Sequence, residues 1–337
     1  MNEGILLNIV SSESRLSYNA TDKARKDVEN TLTKNGYKVI NVPYAINVGK
    51  YKAILNHLCD IRKCLSEIRR EKPKDIFIQY PGFRIGTRSI NLLTKLLKKW
   101  HITILIHDID SLRVYGKISN REISILRRAD KVIVHTENMR NYLLQNGVDT
   151  PMKVMWLFDY YAKGSLTINK PEDNYSIVFA GNLSKSDFLK KIENTIQPHI
   201  LYLYGLPIDY KWPQGICYEG KFSPDEISDI KGDWGLVWDG ESTQVCSGKM
   251  GNYLKYNSSH KASLYIASGK PVIVWSQSGI ASFIEENHLG LCIDSLSDIP
   301  ALLDTITRDD YNLYLKNVKY MQNILRSGKN LEDLIIS

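Results

Sequence analysis

What most constrains this chain is its alternation: short apolar runs take turns with amphipathic segments along the whole sequence. Gly4–Val10, Tyr37–Val42, Asp75–Tyr80, Ile102–Ile106, Lys131–Thr136 and Lys153–Phe158 read as strands. Helices fall between them over Lys23–Lys34, Lys50–Arg70, Arg88–Trp100 and Glu137–Asn146. A strand that returns through a helix pairs parallel to the next strand, and a parallel sheet is covered on both faces. Residues 159–173 gather Gly, Lys, Ser, Asn and Pro and lose periodicity, which reads as a linker. A second alternation follows, with strands at Tyr175–Ala180, Ile200–Tyr204, Gly235–Trp238, Pro271–Trp275 and Leu291–Asp294. The tail from Asp309 is helical, with Gly328 as a break. The expected architecture is α/β: two Rossmann-like domains, 1–158 and 174–308, joined by that linker and followed by C-terminal helices over 309–337, with parallel sheets facing across a cleft.

A length of 337 residues exceeds the usual size of one hydrophobic core, in keeping with two domains. The N-terminus has too short an apolar run for a signal peptide, and nowhere do about eighteen apolar residues run together. Five cysteines, an odd number without a CxxC pair, fit free thiols in a reducing compartment, so a cytoplasmic protein is expected. The charge is uneven. Residues 1–150 hold 26 Lys+Arg against 15 Asp+Glu, a balance of +11, while residues 151–337 hold 18 against 22, a balance of −4. Basic clusters such as Arg69-Arg70 and Arg127-Arg128 are ordinary as solvated helix faces. They also suit an anionic membrane surface, where each Lys or Arg gains roughly 1 kcal/mol. No nucleic-acid-binding motif accompanies them, so nucleic acid is not expected as a partner.

Open α/β sheets bind ligands outside the carboxyl ends of their strands, and that rule selects the loops worth reading. From Tyr256 to Gly290 a polar loop opens a helix, Gly269 ends it, a buried strand follows, and Ser276–Gly279 turns into a second helix that Gly290 closes. Lys261 stands at the first helix's start, after Tyr256, Asn257, Ser258, Ser259 and His260. Free N–H groups, the positive end of the helix dipole and a mobile cation converge there, which suits a phosphate. Ala180-Gly181-Asn182-Leu183-Ser184-Lys185 is a second candidate: Gly181 allows close approach, and Asn182, Ser184 and Lys185 offer donors. Phe222 precedes Ser223-Pro224, a helix-start pattern. It is read either as a base-stacking ring or as a hydrophobic staple. Asp239 and Glu241 are placed to accept sugar hydroxyl bonds, and Cys246 lacks a histidine partner for nucleophilic work.

His107-Asp108-Ile109-Asp110 follows the strand Ile102–Ile106. A carboxylate there can take a proton from an acceptor hydroxyl while His107 orients it, or it can simply cap a loop. Carboxylates two apart on an extended chain point to opposite sides, so one of Asp108 and Asp110 is expected to face the ligand. A metal site on this Asp-x-Asp is disfavoured by the apolar Ile109 between the two carboxylates, and no metal is expected.

These residues carry a resemblance. AGNLSK, HDID, KARKD (Lys23–Asp27), WDGES, CSG and GNYLKYN, together with the Gly235–Gly290 run, resemble the bacterial β-1,6-galactofuranosyltransferases of O-antigen synthesis over nearly the whole chain. The chain is more distantly similar to the streptococcal glucosyltransferase that extends GlcNAc on serine-rich adhesins. The resemblance implies a GT-B fold with the donor nucleotide mainly on the C-terminal domain and a final helix returning to the N-terminal one. It also implies a metal-independent transferase using a UDP-sugar as donor substrate, with no cofactor. It assigns phosphate binding to Lys261, base stacking to Phe222 and a donor contact to Thr21. An arginine expected after the first C-domain strand is missing, and Lys185 is its substitute. The reading is an inverting displacement with Asp108 as base and His107 and Asp110 near the acceptor. The expected acceptor is a glycan carried on polyprenyl diphosphate at the inner membrane face, and a homo-oligomer is expected. Alternatives are a protein-linked GlcNAc acceptor, a non-catalytic UDP-sugar-binding subunit, and an epimerase. The last lacks a G-x-G-x-x-G after the first strand.

Overall fold

The structure, a computed structural model, describes residues 4–11, 20–44, 50–81, 87–164, 174–192 and 195–336. It divides into two compact units, Met1–Met155 with Leu331–Ser337, and Trp156–Asn330.

In the first unit six strands alternate with helices: β1 (Gly4–Ser11), α1 (Ala20–Lys34), β2 (Tyr37–Tyr44), α2 (Lys50–Glu71), β3 (Asp75–Tyr80), α3 (Thr87–Leu96), β4 (His101–Ile106), α4 (Asp110–Tyr115), α5 (Asn120–Leu126), β5 (Lys131–Val134), α6 (Glu137–Gln145) and β6 (Met152–Val154). All pair in parallel, in the order β2-β1-β3-β4-β5-β6. Central strands are buried on both faces, which is why Ile76-Phe77-Ile78 and Ile104-Leu105-Ile106 read as continuous apolar runs. The strand expected over Lys153–Phe158 is shorter, because Trp156 takes a left-handed conformation at φ 60° just after β6. The helices α4 and α5 have no counterpart in the periodicity. The first is only six residues long, and the second is set by a capping box between Ser119 and Glu122 rather than by an apolar stripe.

The second unit contains β7 (Ile177–Ala180), β8 (Leu201–Tyr204), β9 (Ile216–Tyr218), β10 (Trp234–Val237), α7 (Gly248–Tyr253), α8 (His260–Ala267), β11 (Val272–Trp275), α9 (Ala281–Glu286), β12 (Gly290–Ile293), α10 (Ile299–Thr305) and α11 (Arg308–Ser327); the final helix α12 (Lys329–Ile336) belongs to the first unit from Leu331 on. The strands form a parallel sheet in the order β12-β11-β10-β7-β8-β9. Alternate residues of each strand supply two cores. Ile177, Phe179, Leu236, Trp238, Ile273 and Trp275 face one side, and Val178, Ala180, Val237, Val272 and Val274 face the other. Each fully buried side chain of this kind contributes roughly 1.5–3 kcal/mol, so both layers are held strongly. Two expectations are corrected. Gly290 does not close a helix: α9 ends before Asn287, and Gly290 opens β12, where a Cβ would stand 1.8 Å from the Val272 carbonyl oxygen. No helix follows Phe222-Ser223-Pro224; Glu226 N–H instead donates to the Ser223 carbonyl at 2.9 Å, closing a turn.

Candidate functional site

In the second sheet β7 is flanked by β8 on one side and β10 on the other, so the connection changes direction between β7 and β10. Open parallel sheets take ligands at the carboxyl ends beside such a reversal. The β7–β10 ladder is short, ending at the pair Gly235–Val178. Beyond it the chain leaves β7 through Ala180-Gly181 and leaves β10 through Trp238-Asp239. Trp238 is fully buried and its indole N–H donates to the Ser242 carbonyl at 2.9 Å, which pins the loop carrying Asp239.

Onto this point α8 delivers Lys261. Ser259 caps the helix, its hydroxyl accepting from the Lys261 N–H at 3.4 Å. The Lys261 ammonium lies 2.8 Å from Asp239 Oδ2 and 5.2 Å from the centre of the Phe179 ring. Its side chain is 15% exposed and that of Asp239 is 21% exposed, so the pair is accessible without being fully hydrated. Gly181 lies close under the lysine: a Cβ there would stand 3.2 Å from Lys261 Cε. Cys246 lies buried behind this loop, and burial pushes its thiol up to about 12, which leaves it protonated and inert.

The other expected donor residues are arranged more loosely. Asn182 spends its side-chain oxygen on the turn after β7, accepting from Ser184 N at 3.1 Å and from Ser184 Oγ at 2.7 Å. Lys185 is exposed on that same turn. Phe222 is half-buried and packs edge-on against Tyr204, ring centres 5.4 Å apart. Tyr256 and Asn257 are partly exposed in the loop before α8, and the Asn257 N–H donates to the Tyr253 carbonyl at 3.1 Å. His260 sits between Phe158 and Tyr160, at 5.6 and 5.3 Å between ring centres.

The first unit gathers a separate polar cluster at the end of β4. His107 is buried, with Nε2 2.7 Å from Gln79 Oε1. Asp108 and Asp110 do not diverge as an extended chain would have them. The chain turns into α4 at Ile109, and one guanidinium, that of Arg113, binds Asp108 Oδ2 at 2.9 Å and Asp110 Oδ1 at 2.8 Å. The half-buried Arg25 of α1 donates to the Pro81 carbonyl and, at 3.4 Å, to that of Gln79. Burial lowers its pKa to about 10, while Asp108, Asp22 and Asp110 oppose that shift. Glu122 braces the loop from below: this buried carboxylate accepts from Tyr80 Oη at 3.1 Å, from Ser119 Oγ at 2.8 Å and from the Ser111 hydroxyl. Thr21 falls in the first turn of α1, and its side chain lies outside the described residues.

Sequence reading passed over Phe179, Tyr265, Arg25, Gln79, Arg113 and Glu122. Arg113 lay within reach, three residues past Asp110 at helical spacing, and Arg25 inside the KARKD run; the others have no local signature. Among the described residues no group of three or more His, Cys, Asp or Glu side chains converges as metal ligands.

Comparison with known proteins fits this geometry. Residues 8–157 match the family model described as "Glucosyltransferase 3-like, N-terminal domain", and residues 177–337 match "Glucosyltransferase 3-like, C-terminal domain". The chain belongs to the glucosyltransferase 3-like glycosyltransferases. Over 320 residues it is 28% identical to the β-1,6-galactofuranosyltransferase WbbI of Escherichia coli K12, covering 93% of this chain and 92% of that protein. It is also 28% identical over 250 residues to glucosyltransferase 3 of Streptococcus gordonii, covering 69% of each. Among solved structures, sucrose-phosphate synthase of Thermosynechococcus elongatus superposes with a TM-score of 0.64 at 13% identity, over 99% of this chain and 98% of that one. The galactosyltransferase WaaB gives 0.60 at 12% identity, over 99% and 98%. The transferase has the GT-B fold of these neighbours, and it takes a sugar donor and a glycan acceptor. Among its described residues no helix is long and apolar enough to cross a membrane.

Proposed function

We propose that this transferase moves galactofuranose from a UDP-sugar to a sugar hydroxyl of a glycan acceptor by a metal-independent inverting displacement. The observation that carries the reading is Lys261, held at the head of α8 against Asp239 where the second sheet reverses. A donor diphosphate seated there meets the ammonium and the positive end of the α8 dipole, beside Gly181, which carries no side chain to block it. Lys185 adds a mobile cation, and these groups together stabilise the charge of the departing UDP. Phe222 stacks on the uracil, and Asp239, with Tyr256, Asn257 and His260 from the stretch that leads into Lys261, takes the sugar and ribose hydroxyls. Thr21 adds a donor contact.

Asp108 is the base. It accepts the proton of the acceptor hydroxyl as that oxygen bonds to the anomeric carbon and the bond to the UDP oxygen breaks. Asp110 and His107 hold the acceptor side, and Arg113 keeps both carboxylates in place. Galactofuranose is favoured over other hexoses by the likeness to WbbI across nearly the full length of both chains. The basic balance of residues 1–150 supports an acceptor on polyprenyl diphosphate, reached by peripheral contact with an anionic membrane at the cytoplasmic face. The match to glucosyltransferase 3-like domains favours a second reading, transfer of glucose to a GlcNAc-modified protein.

Turnover across a panel of UDP-sugars with EDTA present tests the proposal. Selective use of UDP-galactofuranose is the expected outcome; preference for UDP-glucose moves the reading to the second acceptor class, and dependence on added metal removes the mechanism.

A further inference from the structure

One helical turn beyond Lys261, on the same face of α8, lies Tyr265. It is fully buried, and burial keeps its phenol protonated far above the usual range. The Gly181 N–H donates to the Tyr204 carbonyl of β8 at 3.0 Å. Successive N–H groups of a strand alternate in direction, so the Ala180 N–H points the other way, toward β10. The β10 ladder has already ended at Gly235–Val178, and no strand carbonyl meets it. The Tyr265 hydroxyl accepts that N–H instead, at 2.7 Å. The ring fills the space over Gly235, where a Cβ would stand 2.1 Å from the Tyr265 ring. One side chain thus completes the hydrogen bonding of β7, packs on β10 and belongs to the helix that carries Lys261.

We infer that Tyr265 is a positioning residue for donor binding, setting the height of α8 so that Lys261 reaches the donor diphosphate between Gly181 and Asp239. This role rests on the reading of Lys261 as the diphosphate contact. The tyrosine never meets the ligand; it acts through Lys261. A phenylalanine keeps the ring against Gly235 and removes only the bond to Ala180, so the helix can shift while the core stays filled.

Binding of UDP, measured by calorimetry together with the melting temperature, tests this in four variants. Tyr265→Phe is expected to weaken UDP by about tenfold, the scale of one buried hydrogen bond. Ser263→Ala is the matched control: it removes a comparable bond from the same helix, the Ser263 hydroxyl accepting from Phe158 N at 2.9 Å. It should lower the melting temperature similarly and leave UDP affinity within about twofold. Lys261→Ala alone weakens UDP, and adding Tyr265→Phe to it should cost nothing more, because the lever then has nothing to move. Multiplying losses in the double variant, an equal loss in Ser263→Ala, or unchanged affinity in Tyr265→Phe each overturns the positioning role while leaving the Lys261 reading intact. Unchanged affinity in Lys261→Ala overturns that reading and the positioning role with it.

Discussion

At the scale of single residues the first unit turns on how Arg113 shares its guanidinium. It binds Asp108 and Asp110 through separate nitrogens, so each carboxylate keeps an oxygen not used in that bond. An asparagine at 108 can still accept from Arg113 through its amide oxygen, so Asp108→Asn removes basicity with little change of shape. If Asp108 takes the acceptor proton, turnover should fall by about 10² to 10⁴ while UDP affinity stays unchanged. Steady-state kinetics beside UDP calorimetry reads both, and turnover comparable to the parent removes Asp108 from the mechanism. Lys261 was legible as a cation at a helix start because its neighbours in sequence mark that start. Asp239 could be named from its loop, but its partner could not: the two are 22 positions apart, and packing of α8 against β10 brings them to 2.8 Å.

At the scale of elements, the residue that follows β5 links stability to pH. His135 is buried, and Nε2 lies 2.7 Å from the Ile106 carbonyl oxygen of β4. Desolvation lowers its pKa from 6.5 to about 4, against a smaller opposing effect of that carbonyl. The unfolded imidazole therefore binds a proton near pH 6.5 and the folded one only near pH 4. Between those values the unfolded state holds more protons, so stability is complete above pH 6.5 and declines as the pH falls toward 4. Urea unfolding at pH 7 and pH 5 should differ by about 2 kcal/mol from this residue. His135→Gln should remove that part of the difference, and an unaltered pH dependence would show that other groups produce it. The strand itself was plain in the sequence. The buried state of His135 just past its end was not, since alternation reports which face a residue takes and not how deeply the neighbouring elements cover it.

At the scale of the whole molecule, the chain's last residues belong to the first unit although the preceding 175 belong to the second. Leu331 is buried and the Lys131 ammonium donates to the Leu334 carbonyl at 3.2 Å. Removing residues 331–337 should destabilise the first unit by at least about 1.5–3 kcal/mol, the contribution of one buried leucine. UDP affinity, assigned to the second unit, should be preserved. Thermal unfolding with and without UDP separates these effects; loss of UDP binding on truncation would contradict the assignment.

The sequence by itself determined the two runs of alternating strands and helices, the parallel pairing that such crossovers impose, and the cation at the head of α8. Each is written in periodicity or in a few adjacent residues, where local sterics and burial act. Strand order, the early end of the β7–β10 ladder, the gathering of Asp239, Phe179, Gly181 and Tyr265 around Lys261, and the turn at Ile109 that brings two carboxylates to one arginine were decided by the tertiary structure. Those contacts join residues far apart along the chain or depend on where it turns, and they form only when the sheets assemble and bury both faces.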